Sequence, residues 1–281
     1  MTFLTKLTTA QQANHSWLCV GLDPVLDRLP EAVLATEDPL LTFGRAIVEA
    51  TADLVCAYKP NLAFWLAEGP AGLRALQDLV AGIPNHLPVI LDGKFNDVGH
   101  TATAYARAAF DVLGVDAVTA NPYLGLDAVR PFLASEEHGV FLLTRTSNPS
   151  APDLQDQLAG GHPLYQQVAR LAVEWNATHA GTCGLVVGAT YPEELAHLRE
   201  IAPDLPFLIP GIGAQGGSLA AASAHGPTAS GAGPLINSSR DVIYASSKPD
   251  FAEAARTAAR TLRDQINGLR EGVNEGEVYE E

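Results

Sequence analysis

Short apolar runs recur along the chain, and most are followed by a longer amphipathic stretch. The runs are Trp17–Leu22, Leu54–Lys59, Pro88–Asp92, Ala117–Ala120, Val140–Thr144, Gly184–Val187, Pro206–Ile209 and Leu235–Asn237, the last being the shortest signal. They are nearly continuous in apolar residues rather than alternating, as expected of parallel strands covered by helices. The stretches Phe43–Asp53, Ala71–Gly82, Gly99–Leu113, Leu164–His179, Glu193–Ile201 and Phe251–Leu269 are rich in Ala and Leu and have helical periodicity. Regular alternation of strand and helix signals predicts an α/β fold, and eight strand signals favour a single closed (β/α)8 TIM barrel over an open sheet. No linker divides the chain, so residues 1–270 are read as one barrel domain. Ser147–Gly161, rich in Pro, Gly and Asp, predicts a long mobile loop after the fifth strand.

Composition narrows the function. A chain of 281 residues with 47% apolar content can bury a sizeable core as one domain. Its formal net charge of -15 argues against nonspecific binding to nucleic acid. Residues 271–281 are acidic and poor in apolar side chains, and read as a tail beyond the barrel. Cys19, Cys56 and Cys183 each sit in an apolar run, with no C-x-x-C pair, which predicts buried, reduced thiols. No signal-peptide pattern opens the chain and no apolar run approaches ~20 residues, so a cytoplasmic enzyme without a membrane partner is expected.

In a barrel of this kind chemistry gathers at the C-terminal ends of the strands. The third run ends in Asp92-Gly93-Lys94-Phe95-Asn96-Asp97, and strand alternation sends Asp92 and Lys94 to the same side. The second run delivers Lys59 to the neighbouring position. Two lysines and two aspartates can satisfy one another, either as a catalytic cluster or as an ion-pair plug at the barrel end. Asp97 alone also reads as a helix N-cap, and Asp23, after the first run, as either a hydroxyl acceptor or a cap. The seventh run leads into Pro210-Gly211-Ile212-Gly213-Ala214-Gln215-Gly216-Gly217 and the eighth into Ser238-Ser239-Arg240. Glycine-rich backbone after strand seven, together with an arginine after strand eight, suits a phosphate. Tight turns and a surface arginine remain the plainer alternative.

Taken together, GLDP at 21–24, KPNLAFW at 59–65, LDGKFNDVGHTA at 91–102, NPYLG at 121–125, TSNPS at 146–150, PGIGAQGG at 210–217 and INSSRDVIYA at 236–245 resemble the orotidine 5'-phosphate decarboxylases. The longer bacterial type (type 2) is the nearest likeness, although that type more often has Lys-Arg-Gly-Asp where this chain has Lys94-Phe95-Asn96-Asp97, and His100 is unusual. The resemblance implies decarboxylation of orotidine 5'-monophosphate to uridine 5'-monophosphate, without metal or cofactor, in pyrimidine biosynthesis. Lys59, Asp92, Lys94 and Asp97 would form an alternating charge array, with Lys94 protonating C6 and Asp92 lying against the substrate carboxylate. Asp97 and Thr101 would reach into a neighbouring subunit's site, which implies a homodimer with shared pockets. Asp23 and Lys59 would hold ribose hydroxyls, Ser147 the pyrimidine, and Gln215 and Arg240 the phosphate, while Asn121 carries no assigned role. Two other readings use the same residues. One is a metal-dependent sugar-phosphate decarboxylase or aldolase with Asp92 as a Mg2+ ligand, and the other is a non-catalytic nucleotide-binding barrel.

Overall fold

A computed structural model describes residues 1–212 and 217–276, with side chains described to residue 271 outside that gap. Eight parallel strands form the central sheet: β1 (Leu18–Gly21), β2 (Ala57–Lys59), β3 (Ile90–Phe95), β4 (Ala117–Ala120), β5 (Gly139–Arg145), β6 (Thr182–Val187), β7 (Phe207–Ile209) and β8 (Leu235–Ser238). Each pairs with its sequence neighbour, and β8 pairs back to β1. The seam between β2 and β3 closes through the single bridges Tyr58↔Val89 and Asn61↔Asp92. The predicted (β/α)8 barrel is therefore the observed architecture.

Helices cover the outside: α1 (Phe3–Ala13), α2 (Pro39–Thr51), α3 (Gly69–Gly82), α4 (Gly99–Arg107), α5 (Leu164–Thr178), α6 (Pro192–Ile201), α7 (Leu219–His225) and α8 (Phe251–Gly276), with shorter turns between them. Two apolar cores follow from strand alternation. The larger lies between sheet and helices. The smaller fills the barrel with Cys19, Ala57, Ile90, Ala117, Phe141, Val186, Leu208 and Leu235. All three cysteines are free and buried, and burial pushes the Cys19 and Cys183 thiols up to about 12. They are packing residues, as expected from the sequence.

Several elements differ from the sequence reading. The helix expected over Gly99–Leu113 is α-helical only to Arg107 and continues as a wider π turn over Ala108–Val112. The long loop after β5 is not featureless: it holds a one-turn helix, Pro152–Gln155, and a small hairpin pairing Leu158–Ala159 with His162–Pro163. α7 follows the glycine-rich stretch after β7, where the sequence pattern gave a helix no bounds. The last helix runs to Gly276, so it includes the first residues of the expected tail, and 277–281 lie outside the described residues. None of the described helices is long and apolar enough to cross a membrane.

α1 also has no counterpart among the predicted elements. Its apolar positions are sparse, yet Phe3 and Leu7 turn into the barrel interior and close its lower end. Phe3 meets Phe141 edge-to-face with centroids 5.9 Å apart. Gly139 allows this approach, because a Cβ there would fall 2.7 Å from the Phe3 ring. Phe3→Ala should therefore cost ~3–5 kcal/mol of stability in urea unfolding. Its kcat/KM should stay close to wild type, because the plug lies at the end of the barrel remote from the strand C-termini.

Candidate active site

The C-terminal ends of the strands surround a cavity of about 630 Å3. Its floor is a charged cluster built at the β2–β3 seam. Lys59, the last residue of β2, is buried and donates to Asp92 Oδ2 at 2.9 Å. Lys94 Nζ donates to the other oxygen, Oδ1, at 2.6 Å. Thr119 Oγ1 of β4 donates to Oδ1 at 2.8 Å, and Asn61 Nδ2 reaches Oδ2 at 3.3 Å. Asp92 thus accepts from two ammonium groups, a hydroxyl and an amide, so that a buried carboxylate is fully satisfied.

Local backbone makes this possible. Between Leu91 and Phe95 the β3–β4 register shifts, with Leu91 opposite Val118 and Phe95 opposite Ala120. The bulge carries Lys94 in a left-handed conformation, φ 47°, which a non-glycine residue adopts rarely. Its amide donates to Thr119 Oγ1 at 2.9 Å. Gly93 is needed because a Cβ there would fall 2.6 Å from the Phe95 ring, which packs outward against Phe132 and Tyr105. Simple alternation predicted that Asp92 and Lys94 share a side, and they do, by way of a bulge rather than a regular strand.

Electrostatics fix the charge states. Burial alone would raise the Asp92 carboxyl, but the Lys59 and Lys94 ammonium groups outweigh it and hold it well below the usual carboxylate range. For Lys59 burial pushes the amine down, while Asp92 and Asp23 more than compensate, so its pKa is raised. Asp92 and Lys59 are therefore both charged throughout the neutral range.

The remaining expected residues fall into three groups. Asp23, Ser147 and Arg240 line the same cavity. Asp23 Oδ1 accepts from Asn61 N at 3.1 Å, so it ties the loop after β1 to that after β2 instead of capping its own following turn. Arg240 opens the one-turn helix Arg240–Ile243 after β8. Asp97, Thr101 and Asn121 do not line the cavity of their own chain. Asp97 accepts from Val98 N at 2.8 Å, and the N-cap position of α4 belongs to Val98, so the capping alternative is not what forms. Asn121 caps the turn Pro122–Leu124 through Tyr123 N at 3.0 Å. Gln215 lies outside the described residues. The ends of its loop are joined by the bridge Ile212↔Gly217.

Thr119, Arg28, Gln155 and Tyr244 also line the cavity and were missed. Thr119 was legible as the one polar residue in the run AVTA, whereas Arg28 and Gln155 sit in loops without periodicity. Asn61, Asn237 and Tyr244 lay inside the motifs without being singled out. Asn237 Oδ1 is buried with no hydrogen-bond partner among the described residues and lies in the cavity wall, an acceptor suited to a ligand hydroxyl or amide.

One stability prediction follows from the floor. Asp92→Asn leaves buried Lys59 without its counter-charge, which should cost ~3–5 kcal/mol near neutrality. The folded carboxyl lies below its unfolded value of about 3.9, so its contribution is complete above that value and fades as pH falls. The raised Lys59 contributes below ~10.4 and fades only as pH rises past its folded value. The gap between wild type and Asp92→Asn in urea titrations should be fully developed just above ~pH 5 and shrink on further acidification; it should also narrow toward alkaline pH, where the unpaired Lys59 of the variant loses its proton. A gap that is absent, or that grows toward acid, would contradict the charge assignment.

Comparison with known proteins identifies the family. The model of the orotidine 5'-phosphate decarboxylase / HUMPS family matches residues 16–257. The orotidine 5'-phosphate decarboxylase of Thermomicrobium roseum is 51% identical over 275 residues, covering 97% of this chain and 98% of that one. That of Cellvibrio japonicus is 49% identical over 276 residues, covering 96% and 100%. The solved structure of Leishmania donovani OMP decarboxylase superposes with a TM-score of 0.83 at 39% identity, covering 96% of this chain and 100% of that one. With most of its length matched, and with the lysine–aspartate floor where the barrel strands end, the chain belongs to the orotidine 5'-phosphate decarboxylase / HUMPS family.

Proposed function

We propose that this chain converts orotidine 5'-monophosphate to uridine 5'-monophosphate and carbon dioxide, as a cytoplasmic homodimer in pyrimidine biosynthesis. The observation that carries the reading is the Lys59–Asp92–Lys94 floor beneath a cavity of nucleotide size. The strand order supports it further. β8, β1 and β2 are consecutive neighbours, so Arg240, Asp23 and Lys59 follow one another around the rim. That order, continued across the seam by Asp92 and Lys94 of β3, suits phosphate, ribose and base along a nucleotide.

In this reading Arg240 and Gln215 hold the phosphate, Asp23 and Lys59 the ribose hydroxyls, and Ser147 the pyrimidine. The substrate carboxylate on C6 lies against Asp92. The C6–carboxylate bond breaks, carbon dioxide leaves, and its electron pair remains at C6. The Lys94 ammonium stabilises that charge and transfers its proton to C6, and water later restores the proton to the amine. Electrostatic preorganisation must supply the acceleration, each factor of ten requiring ~1.4 kcal/mol of transition-state stabilisation. Asp92, held ionised by two lysines, stays negative beside the departing group.

Asp97 and Thr101 complete the site of a second copy in this proposal. Neither lines its own cavity, while Val98 and Tyr105 in the same stretch of chain are exposed, as are Tyr123 and Leu124 in the turn after β4. Exposed apolar side chains of this kind are suited to burial between protomers.

Purified protein should consume orotidine monophosphate, followed by its absorbance, with EDTA present. Lys94→Ala should remain folded and lose several orders of magnitude in kcat. Turnover near wild type by a folded Lys94→Ala protein removes the proposed acid.

Shared pockets make a second prediction. Lys94→Ala and Asp97→Ala proteins should each be inactive alone. Refolded together, they should regain about a quarter of wild-type activity, since about half the dimers are mixed and each mixed dimer has one intact pocket. A mixture that stays inactive, with subunit exchange shown by a tag, would place Asp97 in its own chain's chemistry.

A further inference from the structure

The loop after β5 is attached to the barrel by an unusual anchor. Arg145 ends β5 with its side chain only 3% exposed. Its guanidinium lies over the Tyr191 ring at 4.1 Å and faces Tyr165 at 5.5 Å. Two carboxylates approach it from different elements. Asp156, in the loop after β5, comes to 3.0 Å of Nη1, and Glu194, in the first turn of α6, to 3.6 Å of Nη2. Among the described residues Nε and Nη1 nevertheless lack an aligned hydrogen bond, so the cation is held by charge and ring faces.

The residue before Asp156 is Gln155, which lines the nucleotide cavity. Its amide makes a two-point contact with Thr146: Oε1 accepts from Thr146 N at 2.9 Å, and Nε2 donates to Thr146 Oγ1 at 2.6 Å. Thr146 lies directly between Arg145 and Ser147. The loop is thus closed on itself at two adjacent rungs, one ionic and one amide, and Ser147 leaves from the second rung into the cavity.

We propose that buried Arg145 and solvent-facing Asp156 form a latch that sets the loop after β5 over the nucleotide, acting through Gln155 on Ser147. They are positioning residues, and the inference rests on the cavity being the nucleotide site. A loop of this length has many arrangements when untethered, so losing the latch weakens binding while leaving the reacting groups on β2 and β3 intact. Glu194 serves as the internal control: it meets the same guanidinium but belongs to α6, so it holds Arg145 without holding the loop.

The test compares Asp156→Asn, Glu194→Gln, Gln155→Ala and the double variant Asp156→Asn/Gln155→Ala. Asp156 is 43% exposed, so water can replace its carboxylate and the variant should fold. For Asp156→Asn the expected result is a roughly ten-fold rise in KM and in the Kd of uridine 5'-monophosphate measured by calorimetry, with kcat within about three-fold of wild type. Glu194→Gln should leave both constants near wild type. The double variant should be no worse than the poorer single variant, because both changes release one loop.

The latch is overturned if Asp156→Asn binds like wild type or loses kcat with KM unchanged. Equal loss in Glu194→Gln, or additive losses in the double variant, would also overturn it. Wild-type turnover, measured alongside, tests the reaction separately. The nucleotide Kd reads the latch even in a chain that proves inactive.

Discussion

Everything at the mouth of this barrel depends on keeping the Asp92 carboxylate charged where little water reaches it. An unpaired buried carboxylate would take up a proton, and an unpaired buried Lys59 would lose one. Each prevents the other from doing so, and Lys94, Thr119 and Asn61 fill the remaining acceptor positions. This requirement shapes the backbone. β2 and β3 meet only through isolated bridges, and one of them sets Asn61 opposite Asp92. β3 bulges and Lys94 takes an uncommon left-handed conformation, which brings its amine onto the same carboxylate. Strain of this kind persists when surrounding contacts over-determine it, and here the Lys94 amide bond to Thr119 and the stacking of Phe95 on Phe132 do so.

The barrel itself was legible because parallel strands buried on both faces leave uninterrupted apolar runs, and eight of them stand out in this chain. Strand-end residues were legible for a related reason: Lys59, Asp92 and Arg240 terminate or directly follow such runs, so their place at the mouth follows from the fold. What was hidden depends on geometry without a local period. α1 has too few apolar positions to announce itself, and its value lies in Phe3 finding space above Gly139, far away in sequence. The bulge that turns Lys94 is invisible to an alternation rule that happens to give the same side. Thr101 was tied to the site only by family likeness, Asp97 also by its place in the Asp-Lys-Asp run after the third strand, and their own chain's cavity includes neither.

The two ends of the barrel are built on opposite principles. The lower end is closed by an aromatic plug with no polar demand, where packing alone sets the geometry. The upper end carries the costly charges, and its loops are fastened by polar contacts that water can contest. Rigidity below permits adjustment above, because the strands that present Lys59, Asp92 and Thr119 are held by a core indifferent to the loops' positions.

That division bears on how binding energy reaches the reacting carbon. The ring order β7–β8–β1–β2–β3 lays the ends of β7 and β8, Asp23 and the lysine floor along one arc, while β5 brings Ser147 from the far side. A nucleotide spanning the arc would be gripped by its phosphate at one end and set against Asp92 at the other, so contacts remote from C6 can hold the substrate carboxylate where it is electrostatically disfavoured. In the proposed complex the loop after β5 would lie over the base from the opposite wall. Its placement would then bear on how well the nucleotide is held more than on how fast the bond breaks, since the groups proposed to meet C6 are fixed by β2, β3 and β4. Chemistry belongs to the seam of the barrel in this arrangement and affinity to its loops, a separation that lets the loops vary without disturbing the carboxylate on which the site is built.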